Sequence, residues 1–517
     1  MEYPRVCAYM FGVTPQDYLH KGIPRAPALH EREAAKYLLA NGEVLRKMTI
    51  YTGHFLPSKE KIYKEFSMFQ RGSRTCQVEF IEEAVLCHIL SFLPTKLAVR
   101  TSILSTRWKN IWASVLNLDF NDEYDPWIER DDSFSMFVNR VLSFRDSTDI
   151  HKFRLCCSGV EDFSRIDGWI RTAIYCNAVE FDLRVHSKSD YQIFELPESF
   201  FMSKTLVVLK LNSDCLRYVP PNSGCLPSLK FLHVTVDYPD DESMEKFFSC
   251  CPVLEDLTID GDVEHDADVY ISAPELKTLR ISLSGEDGYP QKSFSINAPK
   301  LEKLDVMEDR LSNYIVKNAK SLVKAIVNLY SHDSCLQLDF SKLSSALLAG
   351  ISNVKYLSLS AHSLKACSVP AFDNLSELKL VLHNCYDWEL LTELLKRSPN
   401  LEYLVLEHNE CQGACTIYSE DEEYSEDEEY SAEYFNHEWN TPETVPVCLS
   451  THLKSITIRG FKGDSDEMEA AKYLLEKGKV LNKVTICAGD LLCRREELDK
   501  ELELIQRGSR TCRVEFF

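Results

Sequence analysis

PELKTLRI, residues 274–281, is one copy of a pattern that recurs along this chain: a proline, one variable residue, then Leu-x-x-Leu-x-apolar. Its last three residues alternate apolar, polar, apolar, which is typical of a short strand with one buried face. The proline cannot donate a ladder hydrogen bond, so we expect it at the strand entrance. Further copies with the proline lie at 227–234, 252–259, 299–306 and 399–406. Copies without it start at Leu206, Val354, Leu375 and Leu453, and 179–185 fits loosely.

Neighbouring copies are mostly about 21 to 27 residues apart, the period of leucine-rich repeats. Helical stretches lie between some of them, for example at 243–248 and 387–396. One strand and one helix per repeat would form an α/β solenoid, in which each repeat buries its apolar face against its neighbours. The sequence therefore predicts an α/β fold with a leucine-rich-repeat solenoid over 151–410.

The central residue of each predicted strand should point away from the core, onto the concave face of the solenoid. These positions vary in residue type while the flanking leucines recur, so we predict that the face as a whole binds a protein substrate. For any single position, a solvated strand residue is the simpler interpretation. The predicted substrate-binding residues are Lys210, His233, Thr258, Arg280, Asp305, Ser358, Lys379, Val405 and Thr457.

Composition limits the function further. The 517 residues carry a net charge of −22, which argues against general nucleic-acid binding. No secretory signal or apolar run long enough to span a bilayer is present, so we expect no membrane association and a location in the nucleus or cytoplasm. The 19 cysteines are then expected to be reduced and mostly buried. Their spacing predicts no zinc site, and we expect no cofactor or metal.

A small helical module is predicted upstream of the repeats, in VLCHILSFLPTKLAVRTSILSTRWKNIW, residues 85–112. Apolar residues recur at helical spacing up to Leu93, and Pro94 should end that first helix. Thr95 can cap the second helix, and a third holds Trp108 and Trp112. Three short helices form too small a core to be stable alone, so the module should need a partner or the adjoining solenoid.

This module resembles an F-box, through Leu93-Pro94, the Ser-x-Arg-Trp of 105–108 and the closing Trp112. F-boxes followed by leucine-rich repeats and a C-terminal FBD domain form a large plant family. The resemblance implies that the F-box, here 81–120, binds a Skp-type adaptor and through it a cullin, in an SCF-type ubiquitin ligase. By this resemblance the adaptor-binding residues are Val85, Leu86, Ile89, Leu93, Pro94, Leu97, Val99 and Trp108. The competing interpretation is that they form the core of the module itself.

The family F-box usually opens with Leu-Pro-Asp/Glu, whereas Ile81-Glu82-Glu83 stands here. This departure leaves open a leucine-rich-repeat scaffold with a degenerate F-box. A small-molecule-gated receptor, in which a ligand completes the substrate surface, is a third possibility. The chain contains none of the common nucleotide-binding, hydrolase or metalloprotease motifs, and no residue is predicted to be catalytic.

A duplicated segment flanks these modules. Residues 33–80 match 469–516 without a gap, at a constant offset of 436. The later copy resembles the end of an FBD domain, 447–517, which we expect to cap the solenoid. Its expected elements are an opening strand, two helices and two further strands, with Gly478 ending the first helix. The earlier copy, 31–80, lacks the opening strand and runs directly into the F-box, as expected after a tandem duplication, a fusion of neighbouring genes or a misjoined gene model.

Three connecting segments complete the predicted organisation. Residues 1–30 are expected to be irregular, and 121–150 to contain a connecting helix. Residues 411–446 include SEDEEYSEDEEYSAEY, 419–434, in which blocks of like charge favour a disordered insertion. Ser419 and Ser425 precede acidic residues, a context that acidophilic kinases favour, although a solvated linker is the simpler interpretation.

Overall fold

A computed structural model describes most of the chain in two compact units. The first comprises 1–157 with 175–179, and the second comprises 158–174 with 180–517. The described residues are 6–8, 47–52, 68, 77–104, 108–122, 131–145, 149–160, 162–188, 193–217, 220–221, 225–235, 241–262, 268–284, 293–308, 311–329, 340–360, 367–382, 388–408, 439–488 and 495–517.

The first unit begins with a small parallel sheet of three strands, β1 (Val6–Ala8), β2 (Lys47–Thr52) and β3 (Gln77–Glu82), in the order β1-β2-β3. Lys47 lies opposite Gln77 in the β2–β3 pair. The prediction that residues 1–30 are irregular is therefore wrong for β1, which pairs with β2. The earlier copy was expected to lack an opening strand, and β1 lies beside β2 at that place. The predicted helix of the earlier copy lies outside the described residues.

The helical module follows as α1 (Glu83–Leu90), α2 (Thr95–Arg100) and α3 (Trp108–Ile111). Single 3-10 turns at Thr101–Ile103 and Trp112–Ser114 follow α2 and α3. Its buried core consists of Leu86, Leu90, Ala98, Ile111 and Val115.

The residue at the start of α2 differs from the prediction. Pro94 occupies the N-cap position and makes no side-chain cap bond. Thr95 is buried, and its hydroxyl accepts a hydrogen bond of 2.7 Å from the backbone N–H of Asp119. Prediction of Thr95 as the cap was therefore wrong, because the hydroxyl satisfies a distant backbone donor instead of one in its own helix.

The rest of the first unit consists of β4 (Asn117–Asn121), α4 (Asp131–Ser143) and β5 (Lys152–Val160), which continues into the second unit. β4 and β5 pair in parallel, with the rings of Phe120 and Phe153 5.9 Å apart. The guanidinium of Arg145 donates to the carbonyl oxygens of Val115 and Asp149, at 2.7 and 2.8 Å, and so ties the end of the helical module to the chain after α4. Burial lowers the pKa of Arg145 below its usual value.

The second unit is organised around a long parallel sheet, and this confirms the predicted α/β repeat architecture. The main sheet has the order β23-β22-β21-β20-β19-β18-β17-β15-β13-β11-β10-β8-β6. Its strands and those of two smaller sheets are β6 (Glu180–Ser187), β7 (Phe194–Glu195), β8 (Val208–Asn212), β9 (Leu216–Arg217), β10 (Phe231–Thr235), β11 (Asp256–Asp262), β12 (Asp268–Ser272), β13 (Thr278–Ser284), β14 (Ser293–Asn297), β15 (Lys303–Glu308), β16 (Asn313–Lys317), β17 (Lys324–Leu329), β18 (Tyr356–Ser360), β19 (Glu377–Leu382), β20 (Tyr403–His408), β21 (Ser455–Phe461), β22 (Lys483–Ala488) and β23 (Arg513–Phe516).

Helices pack behind only some of these strands. They are α5 (Ser164–Tyr175), which extends one residue into the first unit, α6 (Asp241–Ser249), α7 (Phe340–Gly350), α8 (Trp388–Arg397), α9 (Val447–Thr451), α10 (Ser465–Lys477) and α11 (Arg495–Leu504). A 3-10 helix at Glu198–Met202 carries Phe200 and Phe201. Their rings lie 5.7 Å apart, in edge-on contact with Phe181 on one side and Phe247 on the other.

Three repeats carry a second strand where a helix was predicted. β12, β14 and β16 form a separate parallel sheet, in which exposed and buried residues alternate, as in Asp268–Ser272. The prediction of one strand and one helix per repeat is therefore wrong for this region, because buried and exposed residues alternate with period two, which is typical of a strand.

The buried Glu308 accepts hydrogen bonds from the backbone N–H and hydroxyl of Ser312, at 2.9 and 3.1 Å, and from the hydroxyl of Tyr314 on β16.

The C-terminal elements follow the predicted order of strand, helix, strand, helix, strand. Gly478 is the C-cap of α10, as predicted, but its φ of −74° is open to any residue. A Cβ there would lie 2.2 Å from Cδ1 of Leu481, so the close approach of that side chain requires the glycine. Residues 411–438 of the predicted acidic insertion lie outside the described residues. From Trp439 the chain is described, with that indole packed against Trp388 and Tyr473 at 5.6 and 5.5 Å.

Candidate interaction surfaces

The helical module exposes large apolar side chains on its surface. Ile103 is 86% exposed and Phe92 is 73% exposed, values that are unusual for residues of this size. Several large exposed apolar side chains within one short module favour an interaction site over chance exposure. We call these side chains the apolar patch: Ile89, Phe92, Leu97, Ile103 and Leu104.

The predicted adaptor-binding residues divide between the core and this patch. Ile89 and Leu97 are exposed, whereas Leu86 belongs to the core. Leu93 and Trp108 are half-buried and pack against the core. The others are Pro94 and Val99, which are half-buried, and Val85, which lies in α1 with a side chain outside the described residues.

Three residues of the patch were missing from the predicted set. Phe92 follows the end of α1, and Ile103 and Leu104 follow α2. Phe92 is three residues after Ile89, the spacing that brings two side chains to one side of a helix. That spacing was visible in the sequence. The orientation of Ile103 and Leu104 depends on the 3-10 turn after α2, which residue pattern alone does not reveal.

The altered opening of the module has a structural counterpart. Ile81 and Glu82 are the last residues of β3, and α1 begins directly at Glu83. The positions where the family has Leu-Pro are therefore part of a strand that pairs with β2. A strand that continues into α1 replaces the proline turn expected there.

The second candidate surface is the outward face of the main sheet, formed by strand residues that point away from its core. Consecutive predicted central positions are Cα partners along this face, except Asp305 and Ser358, which lie on either side of β17. The register also adds Ile326 on β17, a position outside the repeat motif because Ala325 stands where the motif has leucine. The full row is Asp182, Lys210, His233, Thr258, Arg280, Asp305, Ile326, Ser358, Lys379, Val405, Thr457, Thr485 and Glu515.

Exposure along this row is uneven. Lys210 and Arg280 are exposed, while His233, Thr258, Lys379, Val405 and Thr457 are half-buried. Two predicted contact residues, Ser358 and Asp305, are buried, the latter with 4% of its surface exposed. The prediction that these two residues contact a substrate directly was therefore wrong. The side chain of Asp305 is covered by its neighbour Arg280. That guanidinium donates to Oδ2 of Asp305 from Nε and Nη2, at 3.2 and 3.0 Å.

Charged side chains pair across neighbouring strands of this face. Lys379 on β19 and Arg459 on β21 both contact the carboxylate of Glu407 on β20, at 3.0 and 3.1 Å. These two cations hold the pKa of Glu407 below its usual value although burial opposes them. His233 contacts the carboxylate of Asp260 on β11 in a similar way. The register of the strands therefore organises the outward face into fixed charge pairs.

No helix among the described residues is long and apolar enough to cross a membrane. Within the same residues, no group of three or more His, Cys, Asp and Glu side chains is arranged to hold a metal ion.

Comparison with known proteins matches three parts of the chain to family models. The F-box domain model matches residues 83–120, and the FBD model matches 441–486. A model described as "FBD-associated F-box protein At5g56370, LRR repeats" matches 166–327. The F-box/FBD/LRR-repeat protein At5g22660 of Arabidopsis thaliana is 31% identical over 472 residues, which cover 86% of this chain and 97% of that protein. The chain belongs to the F-box/FBD/LRR-repeat family.

Other members are similarly close. The F-box/FBD/LRR-repeat protein At1g78750 of the same plant is 30% identical, over 86% of this chain and 97% of its own length. The F-box/LRR-repeat protein At4g14096 is 32% identical, over 79% of this chain and 87% of its own length. The F-box of this family member thus coincides with the module that carries the apolar patch. The main sheet continues beyond the matched repeats, from β18 into the FBD region.

Proposed function

We propose that this protein is the substrate-recognition subunit of an SCF-type ubiquitin ligase, in which the F-box binds a Skp-type adaptor and the repeats bind the protein to be ubiquitinated. The apolar patch is the observation that carries the proposal. F-box proteins are generally non-catalytic adaptors, and in this role the chain carries out no chemistry itself.

Burial of the patch is a sufficient source of affinity for an adaptor. Covering one large aliphatic or aromatic side chain contributes about 1.5–3 kcal/mol, and the patch offers several. Part of that gain is offset by the loss of translational and side-chain freedom on association. The core underneath keeps the helices in place, so the patch is largely formed before the adaptor arrives.

The outward face of the main sheet is the proposed substrate surface. Its charged pairs and exposed aromatic residues, among them Tyr403 and Phe231, are the residue types that fix register and supply binding energy at interfaces. Holding a substrate beside a charged conjugating enzyme raises its effective concentration there. We place this activity in the nucleus or cytoplasm, reducing compartments that suit the described cysteines, none of which is in a disulfide.

Co-precipitation with a recombinant Skp-type adaptor tests the first half of the proposal. Ile103→Asp with Leu104→Asp places two charges in the patch without touching the core. Leu504→Asp is the control and is matched to Ile103→Asp alone, because each adds one charge at a similarly exposed position and Leu504 in α11, which is 85% exposed, lies outside the module. Pro94→Ala with Trp108→Ala is less informative, since Trp108 packs against the core and its loss affects folding as well as contact.

We expect the patch variant to lose adaptor binding and the Leu504 variant to keep it, with circular dichroism and melting temperature unchanged in both. A truncated chain that begins at Glu83 should still bind, because β3 ends at Glu82. Folded wild-type protein that fails to bind the adaptor would overturn the ligase role and leave a leucine-rich-repeat interaction protein. Equal binding by the patch variant would overturn the assigned surface.

A further inference from the structure

Two lysines lie directly opposite each other on the outward face of the main sheet. Lys303 on β15 and Lys324 on β17 are Cα partners in the parallel pair of strands. Like charges at directly opposite positions destabilise a sheet. Nothing in the packing of the leucine core requires lysine at either position, because both point away from it.

The surrounding carboxylates do not balance the positive charge. Asp305 is shared by Arg280, at 3.0 Å, and by the Nζ atom of Lys303, at 3.6 Å. Lys324 instead has its Nζ atom 4.1 Å from the ring centroid of Tyr356, and no carboxylate of the described residues lies within ion-pair distance of it. The outward faces of β13, β15 and β17 thus carry three cations and one carboxylate, and only Arg280 and Lys303 contact that carboxylate. We call Arg280, Lys303 and Lys324 the basic cluster.

Acidic residues border the cluster on both sides, on the strand next to Arg280 and two strands beyond Lys324. Asp256 on β11 is separated from Lys303 by Thr278, and Glu377 on β19 is separated from Lys324 by Tyr356. Burial raises the pKa of Asp256, while Arg280 and Lys303 oppose that rise. The excess of positive charge is thus confined to β13–β17, in a chain whose net charge is −22.

We propose that the basic cluster binds carboxylate side chains of an acidic segment in the protein substrate. This inference rests on the proposed function and specifies the chemistry of the target. An arriving carboxylate would relieve the repulsion between Lys303 and Lys324, so the arrangement that costs folding stability in the free protein becomes favourable in the complex. Ile326 and Met307 lie half-buried beside the cluster and offer apolar contact to the rest of the segment.

The geometry favours separate carboxylates over a single phosphate. Phosphate sites usually present a free arginine fork or backbone N–H groups at a helix N-terminus. Arg280 already directs Nε and Nη2 at Asp305, and the strand N–H groups belong to the sheet ladder. What remains are two ammonium groups on neighbouring strands, which act as point charges.

Fluorescence anisotropy with a labelled octaglutamate peptide tests this proposal on the full chain. The cluster variant is Lys303→Gln with Lys324→Gln. Lys210→Gln removes one positive charge from an exposed position of the same face on β8, and it is the charge-matched control for the single variants Lys303→Gln and Lys324→Gln. A phosphoserine–glycine peptide of matched net charge and an octalysine peptide complete the set.

We expect octaglutamate to bind, to weaken with added salt, and to bind the cluster variant about fivefold to tenfold more weakly. The Lys210 variant should bind within about twofold of wild type. The melting temperature of the cluster variant should equal or exceed that of wild type, because removing the lysines relieves their repulsion, whereas lysines that serve only stability would lower it on removal.

Several outcomes would overturn the inference: no binding of octaglutamate, equal binding by the cluster variant, equal loss in the Lys210 variant, or preference for octalysine. Tighter binding of the phosphoserine peptide would overturn the carboxylate assignment. Adaptor co-precipitation is measured on the same protein, so the two proposals fail separately. Adaptor binding without octaglutamate binding rejects only the basic cluster, and the converse rejects only the ligase role.

Discussion

The Nε2 atom of His408 lies 3.0 Å from Oε1 of Glu467, and both side chains are almost inaccessible to solvent. His408 ends β20 of the repeats, and Glu467 belongs to α10 of the FBD region. The other oxygen of Glu467 accepts hydrogen bonds from the backbone N–H groups of Lys462 and Gly463, each at 2.8 Å. The carboxylate therefore joins the last repeat to the turn that begins the FBD helix.

The His408 contact predicts a specific dependence of stability on pH. Burial lowers the pKa of His408 to about 4, from 6.5 in the unfolded chain. The folded state thus favours neutral imidazole, and its contribution to stability is complete above pH 6.5 and is lost as pH falls towards 4. Between about pH 7 and 5.5, wild type should lose about 1 kcal/mol more than His408→Gln in urea unfolding.

The titration of Glu467 does not affect the difference between wild type and His408→Gln. Burial raises its pKa, so its own titration favours the folded state as pH falls. That contribution is present in both proteins, and the difference between them isolates the imidazole. Parallel unfolding curves at both pH values would contradict the assigned burial of His408.

Gly478 should not tolerate a methyl group. A Cβ at this position would meet Cδ1 of Leu481 at 2.2 Å and the carbonyl oxygen of Leu474 at 2.8 Å. Gly478→Ala is therefore expected to lower the free energy of unfolding by about 1–3 kcal/mol. Gly168→Ala is the control, because Gly168 lies in α5 with nothing within 4 Å of a Cβ, and it should stabilise by about 0.5–1 kcal/mol. Equal effects of the two substitutions in thermal unfolding would argue against the close approach.

The hydroxyl of Thr95 predicts a loss specific to the F-box. Thr95→Val keeps the shape but leaves the N–H of Asp119 without its acceptor, which should cost about 1–3 kcal/mol. Thr95→Ser retains the acceptor and should cost less than half as much. Hydrogen exchange at the Asp119 amide reports the bond directly, and unchanged protection in the valine variant would show that the bond is unimportant.

The phenol of Tyr314 should contribute through its hydrogen bond to Glu308. Tyr314→Phe keeps the stack on Phe294, whose ring centroid is 5.2 Å away, but removes one donor from a buried carboxylate. We expect a loss of about 1.5–3 kcal/mol in urea unfolding. Tyr270→Phe on the exposed face of the same small sheet should be neutral, and a similar loss there would point to a general effect of removing a hydroxyl.

The repeats were predictable because their leucines determine both period and strand. The motif identified nine strands of the main sheet and missed β17, where Ala325 replaces a leucine. It also missed β12, β14 and β16, because a five-residue alternation between repeats is a weak signal. Asp305 lies at a predicted outward position, yet its burial depends on Arg280 in the preceding strand, and that pairing needs the register.

The F-box surface was predictable only in part. Ile89 and Leu97 were named from the resemblance and are exposed, but Leu86 at the same helical spacing is in the core. Apolar periodicity identifies residues that must be covered and does not tell which are covered by the module and which by a partner. Only the packing of α1 against α3 separates the two sets.

The strands β2 and β3 pair in the same register as β22 and β23: Lys47 faces Gln77 as Lys483 faces Arg513, each 436 residues further on. Only 28 of the 48 residues in the two copies are identical, yet the alignment of the strands is unchanged. The residues that determine this pairing therefore lie within the segment itself, and the pairing does not require the repeats that precede the later copy. Such a portable segment offers a natural junction for recombination, since a gene that acquires a second copy acquires a unit that already specifies its own sheet.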